Sequence, residues 1–125
     1  MELTVSGKKA YAYTGGKVFD AKLPSVIFVH GAQHDHSVWI LQSRYLAHHG
    51  YGVLALDLPG HGRSAGPALA SVGELADWVT EVQDAAGVKQ AAIVGHSMGS
   101  LIALECAARR PDRVMKIALL AIAYP

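Results

Sequence analysis

The sequence has little cysteine, few aromatic residues and no excess of charge of either sign. Its single cysteine, Cys106, excludes an internal disulfide and with it the small secreted proteins that disulfides hold together. Eleven basic residues against ten acidic ones leave a net charge of +1, which argues against nucleic acid as a partner. The longest uninterrupted apolar run, residues 117–124, is far shorter than the roughly 18 residues that a membrane-spanning helix needs. With no apolar signal region after Met1, these absences predict a cytoplasmic globular protein without a membrane partner.

Apolar residues make up 51% of the 125 residues, which is enough for the core of one small domain. Two short segments, residues 3–6 and 10–14, flank a turn and predict a β-hairpin. Four apolar runs follow, at residues 25–29, 53–56, 91–94 and 114–121. Their continuous rather than alternating pattern is typical of strands that are buried on both faces of a parallel sheet.

Helical patterns fill the gaps between these runs, at residues 38–49, 72–86 and 98–109. The second of them opens with a capping box, in which Ser71 and Glu74 can each satisfy a free backbone N–H group. Alternation of strands and helices with short connections predicts an α/β fold with parallel strands and crossover helices. Trp39, Trp78 and Met115 are predicted to lie in the core, and Cys106 to pack as a small apolar residue.

The motif that carries chemistry is Gly95-His96-Ser97-Met98-Gly99, which matches G-x-S-x-G. An apolar strand precedes it and a helix-compatible segment follows, which is the setting of a nucleophile on a sharp strand-to-helix turn. Glycines two residues to either side of the serine let backbone segments approach where a Cβ would clash. The free N–H groups and positive dipole end of the helix then point towards the serine.

Two further stretches support this interpretation. The strand at residues 25–29 ends in His30-Gly31-Ala32, a loop that can aim a backbone N–H group into the site. The N–H groups of Ala32 and Met98 are the candidate donors of an oxyanion hole. The next strand is followed by Asp-Leu-Pro-Gly-His-Gly-Arg-Ser at residues 57–64.

At these three stretches the sequence resembles the α/β-hydrolase fold family, in particular its small serine hydrolases of the esterase, lipase and C–C hydrolase kind. The resemblance implies an acyl-enzyme mechanism without cofactor or metal, on a small-molecule acyl substrate. It implies Ser97 as the nucleophile, with Gly95, Gly99 and Gly31 shaping the elbow and the adjoining loop. A serine at this position argues against the epoxide hydrolase and haloalkane dehalogenase branches, which use an aspartate there.

The family's order is nucleophile, then acid, then histidine. All seven histidines of this chain, at positions 30, 34, 36, 48, 49, 61 and 96, precede Ser97. Residues 1–125 are therefore interpreted as an incomplete core domain that reaches about the sixth strand, without the cap, acid and histidine segments. The strand at residues 114–121 would then lie at the edge of the sheet, where an apolar strand promotes self-association.

Each candidate residue also has a plainer interpretation. Ser97 can be a turn residue without a catalytic role, and His96 is favoured as a packing or neighbouring residue over a general base. His30 is expected to brace the loop by hydrogen bonds rather than to transfer protons. Asp57 is expected to cap its loop through backbone N–H groups rather than to act as the catalytic acid.

The triplet His34-Asp35-His36 has the H-x-H spacing of many zinc sites. No further histidine or cysteine cluster completes a set of four ligands, so the sequence favours surface residues that open the next helix, with Asp35 or Ser37 near its N-cap. Two functions remain open. The first is a serine hydrolase of which this chain is one part, and the second is a catalytically inactive α/β-hydrolase-like module for binding or association.

Overall fold

The computed structural model describes residues 1–121, and their core is one six-stranded sheet with strand order β1-β2-β4-β3-β5-β6. β1 and β2 pair antiparallel as the predicted hairpin, and β2 also pairs antiparallel with β4. The other neighbouring pairs are parallel. The predicted α/β class is therefore confirmed. The strands are β1 (Glu2–Val5), β2 (Lys8–Tyr13), β3 (Ser25–Val29), β4 (Gly52–Asp57), β5 (Ala91–His96) and β6 (Val114–Leu120).

Three α-helices connect the strands: α1 (Ile40–Ala47), α2 (Val72–Ala86) and α3 (Met98–Arg109). Half of the predicted capping box of α2 is confirmed, since the Glu74 N–H donates to Ser71 Oγ over 3.1 Å. The Glu74 carboxylate accepts from the Ser71 hydroxyl over 3.3 Å rather than from a backbone N–H group. Gly87 ends this helix in the left-handed conformation, with φ 73°. The predicted helix over residues 38–49 is shorter than expected. A 3-10 turn, His36–Trp39, precedes α1 because Asp35 already caps the chain there by accepting from the Ser37 N–H over 2.8 Å.

Helices cover the two faces of the sheet unequally. On one face α2 and α3 bury the hairpin and alternate residues of β3, β4 and β5 in the larger cluster of apolar side chains. On the other face the 3-10 turn and α1 contribute Trp39 and Ala47, and the Trp39 ring lies 5.0 Å from that of Phe28. β3 and β4 are thus buried on both faces, which explains their continuous apolar sequences.

The outer strand β6 corrects one prediction. Met115 was expected in the core, but 61% of its surface is exposed, because β6 has a strand neighbour on one side only within residues 1–121.

Trp39 and Cys106 are buried as predicted, and Trp78 is half-buried. Burial raises the pKa of the Cys106 thiol to about 12. No helix within the described residues is both long enough and apolar enough to cross a membrane.

The strand order places three loops side by side. β3 lies between β4 and β5 with all three strands parallel, so the loops that follow them leave from the same end of the sheet. Val29, the last residue of β3, pairs with Gly95, the first glycine of the G-x-S-x-G motif. Functional sites of open α/β sheets form at this carboxyl end.

We propose that the 125-residue polypeptide self-associates through β6. Ile117 and Leu120 are exposed on this strand, and Lys116 is its one charged residue. Replacing Ile117 by lysine should weaken the association, because a second charge on an edge strand opposes pairing with another chain. Sedimentation velocity over a concentration series measures the effect. Val18→Lys is the matched control, since Val18 is an exposed apolar residue outside the sheet. A wild-type chain that stays monomeric at every concentration would refute the proposal.

Candidate active site

Ser97 stands between β5 and α3 in a conformation that few non-glycine residues adopt, with φ 56° and ψ −121°. Such a backbone costs about 1–3 kcal/mol and persists only where the surroundings enforce it. Its N–H donates to the Leu120 carbonyl over 3.0 Å, and its own carbonyl accepts from the Ser100 N–H over 2.9 Å. Its side chain is partly exposed at the carboxyl end of the sheet.

Glycines on either side of the serine are required by close backbone contacts. A Cβ on Gly99 would overlap the Val29 carbonyl oxygen and lie 2.8 Å from that of His30. A Cβ on Gly95 would overlap the Gly99 carbonyl group and lie 2.6 Å from the Ser100 nitrogen. The first turn of α3 can approach β3 and β5 this closely only because neither position carries a side chain.

The loop after β3, residues 30–35 and called the β3 loop below, packs directly on the serine. A Cβ on Gly31 would lie 3.2 Å from Ser97 Cβ and 3.5 Å from both the His34 Nδ1 atom and the His96 carbonyl oxygen. Ala32 follows and is exposed. Within residues 1–121, the N–H groups of Ala32 and Met98 have no hydrogen-bond acceptor. Both therefore remain available to a ligand at the serine.

His30 is fully buried and joins the β3 loop to the loop after β4, residues 58–64 and called the β4 loop below. The Leu58 N–H donates to His30 Nε2 over 3.0 Å, so the ring carries its proton on Nδ1 and donates it to the Gly31 carbonyl over 2.6 Å. Desolvation lowers the pKa of His30 below its ordinary value. The neutral ring required by these two bonds is thus also the form that burial favours.

Asp57 organises the β4 loop from a fully buried position. One carboxylate oxygen accepts from the His36 N–H over 2.7 Å and from His36 Nδ1 over 2.9 Å. The other accepts from the Arg63 N–H over 2.9 Å. The capping by backbone N–H groups agrees with the sequence-based expectation, but the pairing with His36 was not anticipated.

The three residues of the His-Asp-His triplet make different contacts in the structure. Asp35 caps the 3-10 turn and His36 pairs with Asp57. The exposed His34 lies beside His96, the residue that precedes Ser97. One ligand atom each of Asp35, His36 and Asp57 lie within 4.8 Å of one another. Both oxygens of Asp57 and one of Asp35 accept hydrogen bonds that hold the two loops and the 3-10 turn.

His96, the residue before the serine, packs between two rings. The His34 ring stacks on it with centroids 6.3 Å apart, and Trp39 approaches it edge-on at the same distance. Its Nδ1 atom is buried and has no hydrogen-bond partner among the described residues. The half-buried His61, which the sequence analysis did not single out, lines an open cavity of about 500 Å³ between the β3 and β4 loops.

Comparison with known proteins decides the family. The protein-family model for the alpha/beta hydrolase fold matches residues 24–125. The chain belongs to the alpha/beta hydrolase fold family. It is 35% identical over 96 residues to the (E)-2-((N-methylformamido)methylene)succinate hydrolase of Acinetobacter baylyi, covering 76% of this chain and 36% of that protein. It is 40% identical over 111 residues to the dihydrolipoyllysine-residue acetyltransferase component of the acetoin cleaving system of Cupriavidus necator, covering 87% and 28%.

Solved structures of the family superpose closely. A structure described as a membrane phospholipase A matches with a TM-score of 0.89 at 35% identity, over 98% of this chain and 39% of that one. A predicted hydrolase from Thermoplasma acidophilum matches with a TM-score of 0.88 at 26% identity, over 99% and 62%. The chain thus spans about a third of the two curated relatives named above.

A side chain at Gly99 should disrupt the elbow. In Gly99→Ala the new Cβ meets backbone oxygen atoms that cannot move independently, so we expect a loss of about 3 kcal/mol in the free energy of unfolding, the upper end of the usual cost of overpacking. Gly87→Ala is the control, because that residue has a left-handed φ but no atom within 4 Å of the new Cβ. It should cost only about 1–2 kcal/mol. Chemical denaturation measures both, and equal losses would contradict the contact argument.

Proposed function

We propose that this chain is the nucleophile-bearing part of a serine hydrolase that acts on a small ester or related acyl compound. The observation that carries the proposal is the backbone of Ser97, held at φ 56° and ψ −121° at the end of β5 with Gly31 packed against its Cβ. Strained, partly exposed serines at a strand-to-helix turn are typical of nucleophiles. A serine in an ordinary turn requires neither the strain nor the glycines around it.

In the proposed reaction Ser97 Oγ attacks the substrate carbonyl carbon while its proton passes to a histidine base. The carbonyl electron pair moves onto oxygen, where the N–H groups of Ala32 and Met98 donate to the developing negative charge. The intermediate collapses, the leaving group departs with the proton from the histidine, and Ser97 carries the acyl group. Water attacks this ester in the same way and restores the serine.

The base and its carboxylate partner are proposed to lie outside residues 1–125. Every histidine in the printed sequence precedes Ser97, whereas the order in this fold family is nucleophile, acid, histidine. Glu105 and Asp112 are the acidic residues that follow Ser97. They form surface ion pairs with Arg109 and Arg110, respectively, rather than facing the serine loop.

An acyl substrate is favoured over an epoxide by the chemistry of the nucleophile. Relatives of the chain include an epoxide hydrolase of Caballeronia sordidicola, at 33% identity, and a structure described as an N-acyl homoserine lactone degrading enzyme, at 31%. A serine that opened an epoxide would be left as an alkyl ether, which has no carbonyl for water to attack. An acyl-serine has one, so a serine nucleophile favours an acyl substrate over an epoxide.

An alkyl fluorophosphonate tests the proposal, because it modifies only an activated serine. We expect one adduct on Ser97, lost in Ser97→Ala and retained in Ser37→Ala, which removes a serine of the 3-10 turn that lines the cavity between the β3 and β4 loops. The intact mass of the labelled protein shows which polypeptide contains the histidine base. An adduct on the 13.2 kDa chain means that a histidine of this chain, or of a second copy, activates the serine.

An adduct only on a heavier species that contains this sequence means that the base lies in a longer chain. Absence of an adduct on every species would refute the proposed hydrolase and favour the alternative, an inactive α/β-hydrolase-like module for binding or association. Circular dichroism of each variant distinguishes loss of reactivity from loss of folding.

A further inference from the structure

A second histidine connects the β3 loop to the β4 loop. The Gln33 N–H donates to His61 Nε2 over 3.2 Å, and His61 Nδ1 lies 3.0 Å from the Pro59 carbonyl oxygen. Since Nε2 accepts a hydrogen bond, the ring proton must be on Nδ1, which donates it to Pro59. His61 is therefore neutral in this arrangement, in one defined tautomer.

The peptide groups on both sides of Ala32 are held by histidines. The peptide group that contains the Ala32 N–H also contains the Gly31 carbonyl, which accepts from His30 Nδ1. The following peptide group contains the Gln33 N–H, which His61 holds. Because peptide groups are planar, fixing one end of each fixes the direction of the other. The His30 bond therefore sets the direction of the Ala32 N–H, and the His61 bond sets that of the Ala32 carbonyl. Together they restrain rotation about the two backbone bonds of Ala32 that join these peptide groups.

Gln33 also needs this restraint for its own backbone. It is one of the few non-glycine residues with a positive φ, 64°, a region that disfavours side chains. The His61 ring lies 5.2 Å from that of His30, so the two histidines form one unit between the loops. Both rings bond to backbone groups of the β4 loop, His30 to the Leu58 N–H and His61 to the Pro59 carbonyl.

We propose that His61 is a positioning residue: through Gln33 its neutral ring holds the peptide group that follows Ala32 and so limits rotation of the Ala32 N–H, and this restraint is lost when Nε2 is protonated. The proposal rests on the proposed function in one respect, that the Ala32 N–H is an oxyanion donor. A protonated Nε2 has no lone pair for the Gln33 N–H and presents a second donor to it. Acidification then converts a hydrogen bond into a donor–donor contact.

The charged and titratable groups around His61 include Asp57, whose buried carboxylate lies against the neighbouring Gly62. His30 faces it from the end of β3, and His34 and Asp35 line the same cavity from the β3 loop. Arg63, on the β4 loop itself, directs its guanidinium over the Tyr11 ring, 5.0 Å from the centroid. The Asp35 carboxylate accepts hydrogen bonds from both the backbone and the side chain of Ser37. Burial lowers the pKa of His30, so His30 stays neutral on mild acidification.

The test is NMR spectroscopy of the ¹⁵N-labelled 125-residue chain. Both loop bonds are N–H···N hydrogen bonds, and each transmits a measurable ¹⁵N–¹⁵N scalar coupling. We expect couplings between Gln33 and His61 Nε2 and between Leu58 and His30 Nε2 at mildly alkaline pH. Protonation of Nε2 should abolish the first coupling. Burial lowers the pKa of His30, which favours persistence of the second.

Variants separate positioning from mere packing. His61→Phe should speed exchange of the Gln33 amide hydrogen by roughly five- to tenfold and change the residual dipolar coupling of the Ala32 N–H. His61→Gln, whose side-chain oxygen reaches the place of Nε2, should restore both values and abolish their pH dependence. His49→Gln is the matched control, since His49 is exposed and its ring bonds to the carbonyl of Tyr45 in α1 rather than to either loop.

An unchanged Ala32 dipolar coupling in His61→Phe, or no Gln33–His61 coupling in the wild-type chain, would overturn the proposal. Should His61→Phe fail to fold, the wild-type couplings and the His61→Gln variant still decide. None of these measurements needs turnover. A silent Ser97 in the fluorophosphonate experiment together with the expected couplings would refute the hydrolase and leave the histidine link standing.

Discussion

The close approach of α3 to the end of β3 is the constraint on which the rest of the site depends. Gly99 lies against the Val29 and His30 carbonyl groups, where any side chain would overlap backbone. This contact holds α3 against the sheet, so the chain must turn within one residue, Ser97, to pass from β5 into the helix. It also brings Gly31 onto the serine. The strained serine and the adjoining loop are two consequences of one backbone contact.

Much of this architecture could be predicted because its signals are local. Continuous apolar runs identified β3, β4 and β5, and the Ser71–Glu74 pair identified the start of α2. The glycine spacing around Ser97 predicted the elbow because close backbone packing restricts residue type at those positions. Each of these signals lies within a few residues of the feature that it specifies.

The remaining features depend on which segments the strand order brings together. Asp57 and His36 are 21 residues apart, and they meet because β3 and β4 are neighbours whose loops leave from the same end. The His61–Gln33 bond has the same origin. Met115 was misassigned although the strand order of the family placed β6 at the edge, because the apolar character of a residue does not reveal whether neighbouring elements cover it. Sequence periodicity reports the faces of a strand and carries no information on the sheet's edge.

The bond from the Ser97 N–H to the Leu120 carbonyl has a consequence for synthesis of the chain. A ribosome releases the N-terminus of the chain first, so Ser97 emerges before Leu120, whose carbonyl accepts the hydrogen bond from the Ser97 N–H. Until residue 120 has left the exit tunnel and β6 has paired with β5, nothing opposes relaxation of the serine backbone on that side. The hairpin, β3 and β4 can assemble earlier. The nucleophile is therefore among the last parts of this segment to acquire its final geometry.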